Sequence, residues 1–218
     1  MRYGLVIFDC DGVLIDSEHL AVRADVACLA EDGIVLTEDE ILERYVGISV
    51  AEMVADLEGR SGRRVADDFA IRHAARLRTI FAAELRAMPG IEALIDVVAG
   101  KACIASSSTH ERLRHALGLV GLYARFAPHI FSASEVRRGK PAPDLFLHAA
   151  ARMRVAPEDC VVIEDSRAGV EAAVAAGMTV LGFAGGSHCR ADHAARLGAA
   201  GAAQVFDTMV ALRSYLAD

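Results

Sequence analysis

The chain has 218 residues, which at roughly 100–200 residues per domain allows one domain with a modest insertion and excludes a second full catalytic unit. Its 23 Lys and Arg stand against 30 Asp and Glu, and the net charge of −7, with no basic patch to offset it, excludes a nucleic-acid partner. Hydrophobic residues at 54% and charged residues at 24% exclude a disordered chain and supply a sizeable core.

The N-terminus, Met1-Arg2-Tyr3-Gly4-Leu5-Val6-Ile7-Phe8-Asp9, has one basic residue and a short apolar stretch that runs into acids, unlike a signal peptide. The longest uncharged apolar run, residues 172–186, contains Gly177, Gly182, Gly185 and Gly186 and falls short of the ~18–20 residues of a membrane helix. A cytoplasmic protein without membrane contact is expected. Five cysteines, Cys10, Cys28, Cys103, Cys160 and Cys189, form no C-x-x-C pair and read as reduced thiols.

Leu5–Phe8 is a short apolar run of the kind that forms a strand buried on both faces. Asp9-Cys10-Asp11-Gly12 follows directly, which puts both carboxylates at the carboxyl end of that strand and points Cys10 into the core. Residues 17–88 contain no strand pattern and read as four consecutive helices. Thr37 with Glu40, and Ser49 with Glu52, match the capping box, so two helix starts are placed. From 66 to 86, Phe69, Leu77, Ile80, Phe81 and Leu85 share a helical face, and Pro89-Gly90 marks the return to the core. Between two of these helices lies Arg44-Tyr45-Val46-Gly47-Ile48-Ser49. Gly47 permits close backbone approach to a ligand, so the loop is expected to face the substrate, with Arg44 and Tyr45 offering a cation and a hydroxyl.

Further strands are predicted at 102–105, 160–163, 179–183 and 204–206, with helices at 111–117, 145–153, 168–176 and 191–197. A closing helix at 208–216 is expected to take Asp207 as its N-cap. This alternation predicts an α/β fold with a doubly wound parallel sheet. The expected division is a core of residues 1–16 plus 89–218 and a helical insertion of 17–88.

Two more strand ends carry Ser106-Ser107-Ser108 and Glu164-Asp165-Ser166, and a loop carries Lys140-Pro141. Each alone also reads as a helix N-cap or a surface lysine, but strand ends of one parallel sheet converge on one crevice. Asp9, Asp11, Glu164 and Asp165 gathered there would raise one another's pKa unless cations were present. Lys140 and a divalent metal resolve this. Oxygen ligation without paired His or Cys favours Mg²⁺, which recruits phosphate oxygens, so a phosphate ester is the expected substrate. His188-Cys189, after the fourth run, reads as a pair too small for a metal site, and its role is open. Gly185-Gly186 lacks the dinucleotide fingerprint, and no G-x-S-x-G surrounds Ser106.

In order, Asp9-x-Asp11-Gly12-Val13, the Ser106 strand end, Lys140-Pro141 and Glu164-Asp165-Ser166 resemble the four motifs of the haloacid dehalogenase superfamily, and the resemblance covers nearly the whole chain. The opening through Asp16-Ser17-Glu18 and the helical insertion after it look like the β-phosphoglucomutase-like phosphatase branch, whose small helical cap sits there. The opening is also similar to that of phosphatases acting on 6-phosphogluconate and related sugar phosphates. The resemblance implies that Asp9 attacks phosphorus to form an aspartyl-phosphate, and that Asp11 protonates the leaving oxygen and then deprotonates water. It also implies Mg²⁺ held by the Asp9 carboxylate, the Asp11 backbone carbonyl and Asp165, with Glu164 as ligand or support. Ser106, the Ser107 N–H and Lys140 would hold the phosphoryl oxygens. The expected partner is a small hydrophilic phosphorylated metabolite, and the chain a monomer or at most a weak homo-oligomer.

Three alternatives resemble the chain less well. Phosphoglucomutases carry a histidine and an arginine where Ala21 and Val50 stand here, and His19, two residues early on a helix, would point about 200° away. Dehalogenases lack the counterpart of Asp11. Receiver-type signalling modules phosphorylate a mid-chain aspartate and have no helical insertion.

Overall fold

The computed structural model describes residues 3–217. Six strands, Leu5–Phe8 (β1), Ala102–Ser106 (β2), Ile130–Ser132 (β3), Cys160–Glu164 (β4), Thr179–Phe183 (β5) and Gln204–Phe206 (β6), form one parallel sheet in the order β3-β2-β1-β4-β5-β6. The predicted doubly wound α/β architecture is therefore present. The pleat sends Leu5, Ile7, Cys103, Ala105 and Val162 to one buried cluster, and Val6, Phe8, Ile104, Val161 and Ile163 to another on the opposite face. Burial on both faces explains why these segments are continuous apolar runs rather than alternating ones.

Sheet register positions the site. Phe8 lies opposite both Ile104 and Ile163, so the carboxyl ends of β1, β2 and β4 are nearly level. The chain builds outward from β1 to β3 and then crosses back to β4 on the other side. This reversal leaves a crevice beyond the ends of β1 and β4.

Residues 17–88 fold as the four expected helices, Glu18–Glu31 (α1), Glu38–Tyr45 (α2), Val50–Ser61 (α3) and Phe69–Glu84 (α4). Both capping boxes form: Thr37 N–H donates to Glu40 at 2.9 Å while Thr37 Oγ1 accepts from Glu40 N–H, and Ser49 and Glu52 repeat the exchange. Along α4, Phe69, Leu77 and Phe81 are buried. The chain leaves and re-enters the core side by side, with Asp16 N–H donating to the Arg86 carbonyl at 3.0 Å and Met88 N–H to the Leu14 carbonyl at 2.9 Å. One apolar cluster, including Val22, Leu29, Ile41, Met53, Leu57 and Phe69, is built from residues of this insertion alone.

The remaining helices are Ile91–Val97 (α5), His110–Leu119 (α6), Tyr123–Phe126 (α7), Asp144–Met153 (α8), Arg167–Ala175 (α9), His193–Ala200 (α10) and Met209–Ala217 (α11). Sequence patterning missed β3 and the short helices α5 and α7, whose seven and four residues are too few to show a helical period. The closing helix is capped by Thr208 rather than Asp207: Thr208 Oγ1 accepts from Ala211 N–H at 3.2 Å. No described helix is long and apolar enough to cross a membrane.

Candidate active site

Asp9 follows β1 directly, and its N–H donates to the Ile163 carbonyl, which fixes it beside Glu164 at the end of β4. Lys140, fully buried, reaches across with its Nζ 2.9 Å from Asp9 Oδ1 and 2.5 Å from Glu164 Oε1. Glu164 Oε2 accepts from the Ser166 N–H at 2.8 Å and from its hydroxyl at 2.9 Å, so both Glu164 oxygens are engaged. Ser166 in turn caps α9 through the Gly169 N–H.

Asp165 is different. It is buried beside Asp9, and neither of its carboxylate oxygens accepts a hydrogen bond among the described residues, although His188 Nε2 stands 3.0 Å from Oδ2 as an ion pair. Carboxylate oxygens of Asp9, Glu164 and Asp165 lie within 4.8 Å of one another. Burial pushes the Asp9 carboxyl well above its ordinary value; Lys140 opposes this, and Glu164, Asp165 and Asp11 add to it. Lys140 is held protonated because Asp9 and Glu164 outweigh the effect of its burial. Orphaned buried oxygens in an all-carboxylate cluster fit a hard, oxygen-seeking divalent cation.

Gly12, at φ +74°, is required here. An added Cβ would overlap Asp165 Oδ2, and the left-handed backbone itself disfavours a side chain.

Asp11 projects from the same turn into a separate nest of donors. Its Oδ1 accepts from Ser17 Oγ at 2.7 Å and Arg112 Nη2 at 2.8 Å, and its Oδ2 accepts from Ser108 Oγ at 2.7 Å. Burial would raise the Asp11 pKa, but Arg112 and the two hydroxyls outweigh it and keep the carboxyl below its ordinary range. This arrangement favours the ionised form of the Asp11 carboxyl.

Ser106 ends β2, and its Oγ accepts from Ser108 N–H at 3.1 Å, which curls the serine loop over the crevice. Ser107 Oγ donates to the Gly47 carbonyl at 2.9 Å, so the insertion's loop touches the core there. Gly47 has φ +85°, and an added Cβ would overlap the Ser166 side chain. The close approach that Gly47 permits is thus between insertion and core.

A cavity of about 660 Å³ lies between insertion and sheet. Asp9, Asp11 and the three serines form its polar end, while Met53, Phe69, Leu77 and Phe81 line its walls together with the polar Asp25, His73, Arg112 and His115. Tyr45 reaches it, but the Tyr45 hydroxyl donates to Asp56 at 2.8 Å. Arg44, by contrast, is exposed and is not among the residues that line this cavity.

Sequence reasoning missed Ser17, Glu18, Ser108 and Arg112 as site groups. Ser108 was visible in the serine run, and Arg112 follows it by one helical turn, but a basic residue on an amphipathic helix gives no signal of what it faces. Glu18, buried at the start of α1, has its pKa raised to about 8 by burial and by Asp11 and Asp165. His188 has its pKa pushed up to about 11, its contacts with Asp165 and Cys189 outweighing burial. Burial raises the Cys189 thiol, but His188 and His193 bring it below its ordinary value.

A family model described as haloacid dehalogenase-like hydrolase matches residues 3–177. The chain is 33% identical over 188 residues to the 6-phosphogluconate phosphatase of Escherichia coli K12, spanning 86% of this chain and 85% of that protein. A conserved haloacid dehalogenase-like protein of unknown function from Agrobacterium tumefaciens superposes with a TM-score of 0.83 at 37% identity, covering 99% of this chain and 98% of the other. A HAD family hydrolase from Deinococcus radiodurans, solved with bound phosphate and sodium, superposes with a TM-score of 0.77 at 34% identity, covering 99% and 96%.

Proposed function

The chain belongs to the haloacid dehalogenase-like hydrolases and is a phosphoric monoester hydrolase, and from that membership we propose that it hydrolyses a small sugar phosphate or phosphosugar acid through an aspartyl-phosphate on Asp9. The observation that carries this reading is the pairing of two aspartates in opposite electrostatic settings at one strand end. Asp9 sits among carboxylates and Lys140, whereas Asp11 sits among donors.

In the first step an Asp9 oxygen forms a bond to phosphorus and the ester oxygen leaves with a proton passed to it through Asp11, a proton the substrate brings in as its monoanion because Asp11 is ionised before it binds. In the second, Asp11 takes a proton from water, whose oxygen attacks phosphorus and frees Asp9 and inorganic phosphate. Lys140 and the serine loop stabilise charge on the phosphoryl oxygens. Asp9 and Asp165, with the Asp11 backbone carbonyl, would hold Mg²⁺, and Glu164 would act as support because both of its oxygens are engaged by Lys140 and Ser166. The ion would supply positive charge that draws the carboxylate nucleophile and the phosphoryl group together.

Residues 17–88 act as a cap over the core of 1–16 and 89–218, and the double connection at 14–16 and 86–88 is its hinge. Asp25, His73, Arg112 and His115 give the cavity donors and acceptors for hydroxyl or carboxyl groups, in keeping with the relative that acts on 6-phosphogluconate. Hydrolysis is favoured over phosphosugar mutation because Ala21 and Val50 line the cavity and offer neither imidazole nor guanidinium, while His19 points to Glu38.

The test is phosphate release from a panel of phosphorylated sugars, sugar acids and nucleotides. Asp9→Asn is expected to fold and lose turnover. Asp11→Asn is expected to lose on the order of 10²-fold or more and to accumulate phosphate on Asp9, seen as a mass increase. Retention of more than a few per cent of kcat in Asp9→Asn, or faster interconversion of glucose 1- and 6-phosphates than phosphate release, would overturn the reading.

A further inference from the structure

The loop after β5 and the start of α10 bring together three soft donors outside the catalytic groups. Cys189 Sγ is 3.5 Å from His188 Nε2, and the His188 and His193 rings meet edge to face with centroids 5.4 Å apart. One donor atom from each of His188, Cys189 and His193 lies within 4.8 Å of the others. The loop holds this geometry: Ser187 donates from both N–H and Oγ to Asp16 Oδ1, and Cys189 N–H donates to the Gly186 carbonyl at 3.0 Å. His193 Nε2 donates to the Asp165 carbonyl at 2.6 Å, which fixes the ring and leaves Nδ1 as the nitrogen that can bind a metal, the orientation that metal-ligating histidines adopt, and Cys189 is a further hydrogen-bond partner of His193. His188 Nδ1 is buried without a hydrogen-bond partner among the described residues. A small cavity of about 60 Å³ reaches His188 and His193 from the surface. Arg167 and Arg190 on its rim are paired with Glu171 and Asp39.

We propose that His188, Cys189 and His193 form a binding site for a thiophilic divalent cation of the zinc type, separate from the acidic cluster of Asp9, Glu164 and Asp165. Two nitrogens and a sulfur suit zinc, cobalt or nickel and not Mg²⁺, so the two clusters select different metals. The sequence offered only the adjacent pair; the third ligand is the first residue of a helix whose start the turn at Arg190 brings back over the loop. Uptake forms one bond to Sγ and two to imidazole nitrogens, and it releases the Cys189 thiol proton together with the proton on His188 Nε2. Occupancy replaces the His188–Asp165 contact, which couples the site to the catalytic crevice through Asp165.

The experiment titrates the full chain with Co²⁺ in saturating Mg²⁺, reading the near-ultraviolet thiolate-to-cobalt charge-transfer band, and then displaces the cobalt with Zn²⁺. One equivalent is expected to produce the band. Cys189→Ser should abolish it while keeping Mg²⁺-dependent phosphatase activity, which also shows that the variant is folded. His193→Ala should weaken cobalt and zinc binding at least tenfold. Asp165→Asn should keep the band, since the acidic cluster is not its source. No band in the wild type, or zinc affinity unchanged in both Cys189→Ser and His193→Ala, would overturn the proposal.

Discussion

Asp11 accepts hydrogen bonds from three side chains that come from three different places: Ser17 before α1, Ser108 in the serine loop and Arg112 on α6. Arg112 also lies over the Phe81 ring at 5.6 Å, so it is clamped between insertion and core. Removing a charged partner from a buried carboxylate costs about 1–3 kcal/mol. Arg112→Gln is therefore expected to lower kcat/KM by ten- to hundredfold. The sign of the pH effect follows from the shift: Arg112 depresses the Asp11 pKa, so its loss raises that pKa. The acidic limb of the kcat/KM profile should then move to higher pH. A uniform loss across the profile, with the limb unmoved, would show that Arg112 acts by some route other than Asp11.

At the scale of elements, the α2–α3 loop is the bridge between the insertion and the serine loop. The bond its Gly47 carbonyl accepts from the Ser107 hydroxyl depends on a left-handed Gly47 packed against Ser166. A β-branched residue there meets both a steric overlap and a backbone penalty of roughly 1–2 kcal/mol. Gly47→Val is expected to displace the loop and cut kcat/KM at least tenfold while far-ultraviolet circular dichroism stays unchanged. Gly59, on α3, has nothing within 4 Å of an added Cβ. Gly59→Ala should leave kinetics alone and raise stability by about 0.4–1 kcal/mol, read by thermal denaturation. Equal kinetic losses in the two variants would mean that the insertion is sensitive to any change and that Gly47 is not a specific contact.

For the whole molecule, the sheet's convergence concentrates buried negative charge. Asp9, Glu164 and Asp165 share one crevice with Lys140 and His188 as the nearby cations. A bound divalent ion should then stabilise the fold by mass action, about 2.7 kcal/mol at a hundred times its Kd. For a chain of this size that is about 5–10 °C in Tm. Mg²⁺ is expected to raise Tm over the EDTA-treated protein and to restore the activity that EDTA removes. Asp9→Asn, which replaces a costly buried charge, should show a higher metal-free Tm and a reduced response to Mg²⁺. A Tm and an activity indifferent to chelation would show that the acidic cluster does not take a metal.

The amino-acid sequence by itself determined the elements whose signals are local. Continuous apolar runs gave five of the six strands, the capping boxes at Thr37 and Ser49 gave two helix starts, and the carboxylates at strand ends followed from where the runs stop. It also gathered Asp9 and Glu164, because parallel strands deliver their ends to one edge, and offered Lys140 from a loop as a cation to offset them. Only the tertiary structure decided which side chains face which. It moved Arg44 out to solvent, engaged the Tyr45 hydroxyl with Asp56, brought Arg112 and Ser17 onto Asp11 and set His193 beside His188 and Cys189. The reason is physical: a capping box or a buried run is satisfied within a few neighbouring residues, whereas the partner of a buried charge is fixed by how separate elements pack across the sheet.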